Sequence, residues 1–322
     1  MDKHDKIYVA GHRGLIGSAI MRRLAAGGYD NIITKTHAEL DLTRQAEVEA
    51  FFEAEKPAYV FLAAAKVGGI GANSTYPASF IYENLSIALN VINSACESGI
   101  AKLVNLGSSC IYPKMAPQPL KEEYLLSGAL EPTNEAYAIA KISAIRLCKH
   151  YNEQYGTNFI SAMPTNMYGP GDNYDLQGSH VLPAMIRKFH EAKVAETDVT
   201  LWGDGSPYRE FLHSDDCADA LVMLMERHDY ADVGEFINLG SGSELTIREL
   251  AEKVARIVGF EGRIIWDTSK PNGTPRKLMD SSRLCALGWR PRIGLDEGIA
   301  AAYEDFKKSS ASLRGKARDG QE

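Results

Sequence analysis

Short apolar runs alternate with amphipathic segments of helical length along the first half of the chain. Four runs have the length of buried strands: IYVA (7–10), NIIT (31–34), YVFLAA (59–64) and KLVNLG (102–107). The spacing of apolar residues between them predicts a helix from Leu15, a second over about 48–55 and a third over about 84–98. This alternation predicts a parallel sheet with helices on both faces, the doubly wound, Rossmann-type α/β class.

The pattern becomes less regular after NFISAM (158–163). Glycine and proline cluster in YGPGDN (168–173), WGDGSP (202–207) and KPNGTPRK (270–277), and an amphipathic helix is predicted from about Ile247 to Val258. We interpret this part as a smaller substrate-binding domain interleaved with the end of the sheet. The polar segment 309–322 is predicted to be a disordered tail. The predicted domain boundaries are 1–177 and 208–242 for the Rossmann-type domain, and 178–207 and 243–308 for the smaller domain.

Composition places the chain among ordinary globular proteins. Of its 322 residues, 45% are hydrophobic and 24% are charged, so a large core can form. The formal net charge of -7 argues against nucleic-acid binding, which needs an excess of lysine and arginine. No signal peptide or membrane span is recognisable, so we expect a cytoplasmic protein without a membrane partner. Five cysteines without paired spacing indicate neither a disulfide framework nor a metal site.

The first candidate site is the glycine-rich turn AGHRGLIG (10–17), which joins the first predicted strand to the first predicted helix. Gly11, Gly14 and Gly17 would tighten the turn and let a diphosphate approach the N–H groups at the helix N-terminus. The spacing is GxxGxxG instead of GxGxxG, and a tight turn without a ligand is the alternative. Its position at the first strand-to-helix junction favours a dinucleotide.

Basic residues near the second strand favour NADP(H) over NAD(H). NAD-preferring sites usually place an acidic residue there to bind the ribose hydroxyls. In TKTHAELDL (34–42), Lys35 and His37 precede any acid, and together with Arg13 they suit a 2′-phosphate. Asp41 and Leu42 suit the adenine edge, although Asp41 could instead cap the following helix.

A tyrosine and a lysine form the second candidate site. In EAYAIAK (135–141), Tyr137 and Lys141 stand four residues apart in a helical segment, which places them on one face. An ammonium beside a phenol lowers the pKa of the phenol, so the pair could relay a proton. Ser108, in GSSCIYP (107–113), could polarise a carbonyl oxygen. The alternative is an amphipathic tyrosine beside a solvated lysine.

Other side chains are candidates for substrate contacts, each with a structural alternative. Arg209 precedes a predicted helix start and could hold a nucleotide diphosphate or form a surface ion pair. Lys270, Arg276 and Lys277 concentrate charge in an anion clamp or in a solvated loop. Trp202 could stack on a sugar or guanine ring, whereas an aromatic residue that ends a strand is more often part of the core.

Several segments together resemble the GDP-L-fucose synthase family, a branch of the extended short-chain dehydrogenase/reductases. The resemblance runs from about residue 7 to about residue 308. Its most restrictive part is the combination of GSSCIYP with SHVLP (179–183). The family often has arginine at the positions of His37 and Lys188, and a lysine offers a point charge in place of a bidentate fork. The full set of segments is AGHRGLIG, LAAAKVGGI, GSSCIYP, EPTNEAYAIAK, MPTNMYGP, SHVLP, REFLH and KPNGTPRKLMD.

The resemblance implies a set of site residues. Ser108, Tyr137 and Lys141 would form a reductase triad, and Cys110 and His180 would be the acid and base of an epimerisation. From the residues alone, Cys110 could be a small buried residue, and His180 a helix cap or a core histidine. Implied substrate contacts are Lys188, Trp202, Arg209 and Asp280. Implied cofactor contacts are Gly11, His12, Arg13, Gly14, Leu15, Ile16, Gly17, Leu106, Gly107, Ser108, Ser109, Lys141, Pro164, Thr165, Asn166, Met167 and His180.

The implied function is the conversion of GDP-4-dehydro-6-deoxy-D-mannose to GDP-L-fucose, by epimerisation at C3 and C5 and NADPH-dependent reduction of the C4 ketone. The ketone acidifies the protons on both neighbouring carbons, so one group can remove a proton and another can return one to the opposite face. The alternatives are another nucleotide-sugar 4-epimerase or 4,6-dehydratase, and a non-catalytic NADP-binding sensor. The superfamily also implies a homodimer, paired through the helices around 84–98 and 135–155.

Overall fold

The computed structural model describes residues 1–176, 178–270 and 272–319 of the chain. Its strands are β1 (Ile7–Ala10), β2 (Ile32–Ile33), β3 (Tyr59–Leu62), β4 (Lys102–Leu106), β5 (Phe159–Pro164), β6 (Asn166–Tyr168), β7 (Val199–Trp202), β8 (Tyr208–His213), β9 (Ile237–Leu239), β10 (Glu244–Thr246), β11 (Ile264–Asp267) and β12 (Arg276–Lys277). Its helices are α1 (Leu15–Ala26), α2 (Gln45–Glu55), α3 (Ile70–Thr75), α4 (Pro77–Glu97), α5 (Glu135–Tyr155), α6 (Val181–Ala195), α7 (Ser214–Arg227), α8 (Tyr230–Val233), α9 (Ile247–Val258), α10 (Ser282–Ala286) and α11 (Leu295–Asp319).

The central sheet has six parallel strands in the order β2-β1-β3-β4-β5-β9. Ile7 and Val9 of β1 pack with α1 and α7, whereas Tyr8 and Ala10 pack with α2, α4 and α5. Helices therefore cover both faces, which confirms the predicted doubly wound α/β class. The strand order reverses at β1, because β2 and β3 pair with it on opposite sides. Ligands bind sheets of this class at the carboxyl ends of the strands beside such a reversal.

A smaller body of structure packs beside the sheet. Strand β8 lies between β10 and β12 and also pairs with β6, while β7 pairs with β11. A hydrophobic cluster joins α6, α9 and α11 to β7 and β8. Helix α9 has the predicted bounds because Thr246 and Glu249 form a capping box and Gly259 ends the helix in a left-handed conformation. The predicted domain division, in which residue 177 lies outside the described residues, stays a prediction.

Helix α4 is longer than the sequence analysis expected, and helix α11 was not predicted. Helix α4 begins at Pro77, ahead of the expected residue 84, because proline fits the first turn of a helix. Helix α11 continues to Asp319, through most of the segment predicted to be a disordered tail. Alanine, leucine, arginine and lysine in that segment can propagate a helix that has already formed. Residues 320–322 lie outside the described part. No helix of the described residues combines the length and apolar character needed to cross a membrane.

Lys102, at the start of β4, is a buried lysine that is only 4% exposed. Its ammonium donates hydrogen bonds to the carbonyl oxygens of Leu224 at 2.8 Å and Met225 at 3.0 Å, and to that of His228. These carbonyls form the C-terminus of α7, where a positive charge is favourable. Lys102 thereby fastens α7 to the edge of the sheet opposite the carboxyl ends of the strands.

We predict that Lys102→Met lowers the free energy of unfolding by about 2–4 kcal/mol, because methionine fills a similar volume but leaves the α7 carbonyls without a buried donor. Urea denaturation would measure the change. Lys308→Met, at an exposed position of α11, is the matched control and should be close to neutral. Equal stability of Lys102→Met and the unmodified protein would contradict the role given to this lysine.

Candidate active site

The glycine-rich turn between β1 and α1 packs so closely against neighbouring backbone that side chains would not fit at two of its positions. Gly11 has a φ of +83°, and a Cβ there would lie 2.7 Å from the backbone nitrogen of Ala64. A Cβ on Gly17 would lie 2.0 Å from the carbonyl oxygen of Gly11. The turn itself requires these two glycines. Gly14 is exposed, and a Cβ there would meet only the Gly11 oxygen, at 3.4 Å.

The N-terminus of α1 is open to an anion. No side chain caps its first turn, which begins at Leu15 and Ile16, and the N–H groups of a first turn have no partner within the helix. The Nδ1 atom of His12 is buried in the same turn and has no hydrogen-bond partner among the described residues. The turn therefore fits the diphosphate of a dinucleotide, which would take up these donors.

Basic side chains meet beyond β2, where the sequence predicts a 2′-phosphate. Hydrogen bonds of 2.7 Å from the N–H and hydroxyl of Thr36 lower the pKa of Glu39, and Lys35 and Arg13 add to this effect. Lys35 and Arg13 therefore lie near the same carboxylate. Sequence reasoning did not single out Glu39, although it is the first acidic residue of the segment.

Asp41 does not cap the following helix, which was the structural alternative for it. Its carboxylate accepts hydrogen bonds from the N–H of Thr43 at 3.0 Å and from the hydroxyl of Thr43 at 2.8 Å, whereas Arg44 is the N-cap of α2. The Nδ1 atom of His37 lies 3.8 Å from the same carboxylate. Leu42 is buried. Contacts of Asp41 and Leu42 with adenine stay a prediction.

Ser108, Tyr137 and Lys141 lie together at the carboxyl end of β4. The Nζ atom of Lys141 donates to the carbonyl oxygen of Leu106 at 2.8 Å and lies 5.7 Å from the centre of the Tyr137 ring. The hydroxyl of Tyr137 hydrogen-bonds Ser108. Helix α5 thus carries the tyrosine and the lysine, one turn apart, to the strand end that holds the serine. Their catalytic roles stay a prediction.

Burial changes the proton affinities of this group. It lowers the pKa of Lys141 to about 8 and raises the pKa of Tyr137 above its ordinary value. The sequence analysis expected the ammonium to lower the pKa of the phenol. The opposite direction results because loss of solvation dominates and Cys110 adds to the increase. A phenol that keeps its proton at neutral pH is suited to donate it.

Cys110 lies in the 3₁₀ turn Ser109–Ile111 and is 7% exposed. Its backbone N–H donates to the Ser108 hydroxyl oxygen at 3.4 Å. Burial raises the pKa of the thiol, while Ser108, Lys277 and Lys141 act in the opposite direction. The thiol is buried, as the structural alternative requires. Its neighbours, however, are the polar and charged groups of the site and not only core residues.

His180 occupies the N-cap position of α6, where its side chain makes no capping hydrogen bond. The residue is exposed, so it is neither a core histidine nor a side-chain cap. Although the ring keeps contact with solvent, desolvation by the surrounding protein lowers its pKa. The imidazole is therefore mainly neutral at pH 7 and can accept a proton.

Two cations lie side by side on neighbouring strands, because Arg209 of β8 and Lys277 of β12 are register partners. Burial lowers the pKa of Arg209 to about 10 and also lowers that of Lys277. Within the described ranges, Arg209 bonds the carbonyl oxygen of Tyr208 at 2.7 Å and forms no ion pair with a carboxylate. The surface ion pair considered for Arg209 is therefore not formed. Arg276, by contrast, pairs with Glu244.

Glu210 is a buried carboxylate that sequence reasoning missed. Its side chain accepts the N–H groups of Gly242 at 2.7 Å and Met279 at 2.9 Å, and the residue is 0% exposed. These bonds tie β8 to the segment that carries Lys277 and Asp280. The available signal was an acidic residue inside the strand REFLH, since a buried charge needs partners.

Lys188 and Trp202 both lie at β7. The Lys188 ammonium donates to the carbonyl oxygen of Thr200 at 3.1 Å. Trp202 is 58% exposed, so it is not a core residue, and the Lys270 ammonium lies 5.7 Å from its ring centre. The exposed indole of Trp202 is available to stack on a ring.

Asp280 is the remaining predicted substrate contact. It accepts the N–H of Ser282 at 3.0 Å.

The other predicted cofactor contacts lie at neighbouring strand ends. The N–H of Gly107 donates to the carbonyl oxygen of Ala162 at 2.9 Å, and that of Thr165 donates to Leu239 at 3.0 Å. Leu106 and Pro164 are the last residues of β4 and β5. Asn166 and Met167 follow in β6, and Ser109 begins the 3₁₀ turn. The topology thus brings these residues to one edge of the sheet.

The sequence of residues 7–240 matches the NAD dependent epimerase/dehydratase family, and the chain therefore belongs to this family. It is 60% identical to GDP-L-fucose synthase 1 from Arabidopsis thaliana over 309 residues, and the matched region covers 96% of this chain and 95% of the relative. GDP-L-fucose synthase from Escherichia coli is 50% identical to this chain over 317 residues, and the matched region covers 96% of this chain and 99% of the relative. The solved structure of a GDP-L-fucose synthetase from Naegleria fowleri bound to NADP has a TM-score of 0.89 at 27% identity, and covers 97% of this chain and 96% of that chain.

Proposed function

We propose that this chain converts GDP-4-dehydro-6-deoxy-D-mannose to GDP-L-fucose in nucleotide-sugar biosynthesis. It epimerises C3 and C5 and then reduces the C4 ketone with NADPH. The observation that carries the proposal is the position of the Cys110 thiol beside Ser108, Tyr137 and Lys141. A ketone reductase alone does not need this additional proton-transfer group. Similarity over nearly the full length to proteins named GDP-L-fucose synthase supports the same substrate.

NADP(H) is the cofactor, and when bound it supplies the hydride for the reduction. Gly11, Gly14 and Gly17 and the open N-terminus of α1 would hold its diphosphate. Arg13 and Lys35 would hold the 2′-phosphate beside Glu39. The carboxylate of Glu39 accepts hydrogen bonds from the backbone N–H and the hydroxyl of Thr36, and these bonds direct it toward Thr36.

Tyr137 donates the proton that the C4 oxygen takes up during reduction. Burial keeps the phenol protonated, and the Ser108 hydroxyl orients it by hydrogen bonding. Lys141, whose pKa is lowered to about 8, can exchange protons near neutral pH and so restore the proton on Tyr137. The hydrogen bond from Lys141 to Leu106 fixes the ammonium beneath the phenol.

Cys110 and His180 carry out the epimerisation. One of them removes the proton from C3 or C5, and the other returns a proton to the opposite face of the same carbon. Ser108 and Tyr137 meanwhile stabilise the negative charge on the C4 oxygen by hydrogen bonding. The lowered pKa of His180 leaves a neutral imidazole that can accept a proton. Burial raises the pKa of the Cys110 thiol, and the positive charges of Lys277 and Lys141 offset only part of that increase.

Arg209 and Lys277 bind the diphosphate of the GDP-sugar. The pair is adjacent, partly buried and, for Arg209, without a carboxylate partner in the described residues. Lys277 lies within electrostatic reach of Cys110, so the same pair brings the sugar toward the thiol. Lys188, Trp202 and Asp280 are the remaining proposed substrate contacts, with Trp202 free to stack on guanine.

The chain forms a homodimer through α4 and α5. These helices pack against each other, and their outer surface exposes Tyr82 by 63%, Leu89 by 51% and Ile139 by 39%. Large apolar side chains on neighbouring helices favour burial against a second copy. The cytoplasmic location and the lack of a nucleic-acid partner stay predictions.

Product analysis tests the proposal against its alternatives. Incubation with GDP-4-dehydro-6-deoxy-D-mannose and NADPH should give GDP-L-fucose, identified by NMR, with one NADPH oxidised per sugar. A 4-epimerase or 4,6-dehydratase would return its cofactor unchanged. A sensor would bind NADPH without turnover. Reduction of a sugar that keeps its original C3 and C5 configuration would leave Cys110 and His180 without the role proposed here.

We predict that Tyr137→Phe lowers turnover by about 10²–10⁴-fold, the usual contribution of a positioned proton donor. The phenyl ring keeps its packing, so NADPH should bind with unchanged affinity. Fluorescence titration of NADPH and the rate of its oxidation would measure the two effects. Near-full reductase activity in this variant would refute the proton-donor role.

We predict that Cys110→Ser loses most solvent deuterium exchange at C3 and C5 but still reduces the ketone slowly. Serine is close in size and lacks the acid-base properties of the thiol. NMR in D₂O would follow the exchange, with Cys148→Ser, at a buried cysteine away from the site, as the matched control. One-sided exchange retained in His180→Gln would identify Cys110 as the base, and the reverse pattern would identify His180. Normal formation of inverted product by Cys110→Ser would return this cysteine to a packing role.

We predict that Arg13→Ala cuts the preference for NADPH over NADH about tenfold or more, the effect of losing a charge-assisted hydrogen bond. The ratio of kcat/KM values for the two cofactors measures the preference. Arg227→Ala, at an exposed position on α7, is the control and should leave the ratio unchanged. Equal efficiency with both cofactors in the unmodified protein would rule out this assignment.

A further inference from the structure

The segment 66–73, which follows β3 and contains the sequence KVGGI, touches both halves of the site. On one side, the N–H of Gly69 donates to the carbonyl oxygen of Gly178 at 3.0 Å. A Cβ on Gly69 would lie 2.7 Å from the carbonyl oxygen of Ser179, the residue before His180. Gly69 has a φ of -66°, which any residue can adopt. Glycine is therefore required here by space and not by backbone conformation.

On the other side, the segment packs toward Tyr137. A Cβ on Gly68 would lie 2.9 Å from the Cβ of Ala72, 3.2 Å from the Cζ atom of Phe80 and 3.9 Å from the carbonyl oxygen of Gly178. Phe80 is 2% exposed, and its ring meets the Tyr137 ring edge-on at a centroid distance of 6.3 Å. Because Gly68 and Gly69 have no Cβ atoms, one turn can lie close both to Ser179, the residue before His180, and to Phe80, which contacts Tyr137.

The side chains of two asparagines, Asn73 inside the segment and Asn84 on α4, hold its backbone by hydrogen bonds. Asn84 of α4 accepts the N–H of Lys66 at 3.0 Å and donates to the Lys66 carbonyl oxygen at 3.0 Å. Asn73, which is 7% exposed, donates to the carbonyl oxygens of Gly68 at 2.7 Å and Gly69 at 3.1 Å. Amide side chains with such paired backbone bonds fix the path of a turn, because breaking them leaves buried groups unsatisfied.

We propose that the segment 66–73 is a positioning element that holds His180 at a fixed distance from Tyr137. The inference rests on the proposed function, in which His180 serves epimerisation and Tyr137 serves reduction. Lys141 and Leu106 fasten α5 to β4 independently of this segment. Displacing the contact at Ser179 therefore moves His180 and leaves the Tyr137–Lys141 pair in place.

Gly69→Ala tests this inference, because the added methyl group must push the backbone at Ser179 away. With NADP⁺ bound and GDP-4-dehydro-6-deoxy-D-mannose in D₂O, we expect deuterium exchange at C3 and C5 to fall about ten- to a hundredfold, since small misplacements of catalytic groups have effects of this size. The affinity for NADPH should not change. Gly294→Ala, where a Cβ meets nothing within 4 Å, is the matched control and should exchange normally.

A double-mutant cycle separates positioning from general damage. If Gly69 acts through His180, Gly69→Ala should cost nothing further in the His180→Gln background, to within about twofold. An additional tenfold loss in the double variant would overturn the inference. Should Gly69→Ala fail to fold, Asn73→Ala carries the same cycle, because it releases the turn without adding bulk. Absence of exchange in the unmodified protein would instead overturn the proposed function and this inference with it.

Discussion

The parallel sheet places the carboxyl ends of its strands at one edge, and the glycine turn, Ser108 and Cys110 all depend on this placement. The glycine turn follows β1, the segment with Gly68 and Gly69 follows β3, and Ser108 and Cys110 follow β4. Parallel strands must be joined by crossover helices, so each return to the sheet delivers a new loop to the same edge. A site of this kind can therefore gather groups from the whole first half of the chain while its core stays apolar.

Two buried lysines illustrate how the same side chain can serve stability in one place and, in the proposed reaction, chemistry in another. Lys102 has three carbonyl acceptors from α7, which match the three donors of an ammonium. Lys141 bonds one carbonyl, that of Leu106, among the described residues, and its pKa is lowered to about 8. Burial makes the proton of Lys141 easier to give up, and the single carbonyl partner leaves its other donors for other groups. The three carbonyl partners of Lys102 take up all three of its donors.

Sequence reasoning predicted the features that depend on local spacing. The strand and helix alternation, the glycine turn and the one-turn separation of Tyr137 and Lys141 all follow from periodicity. The direction of the Tyr137 pKa shift did not, because it depends on how much protein covers the phenol. The bonds of Glu210 and the contact between Gly69 and Gly178 join segments distant in the sequence, and no local pattern marks them. The polar composition of 309–319 predicts disorder and does not indicate that α11 extends through these residues.

The proposed reaction needs groups from both the central sheet and the smaller body to act on one sugar ring. The groups for reduction sit on β4 and α5 of the central sheet, whereas His180 begins α6 and Arg209 and Lys277 lie on the smaller sheet. A rigid active site on each body would not be enough, since proton transfer at C3 and C5 requires opposite faces of the ring to be reached together. The alignment must come from contacts that cross between the bodies. Gly69 supplies one by bonding Gly178, while Glu210 fixes the smaller body itself by bonding Gly242 and Met279. Neither residue carries out the chemistry, yet both are buried or sterically confined in ways that permit few substitutions, as expected of groups whose function is to set distances.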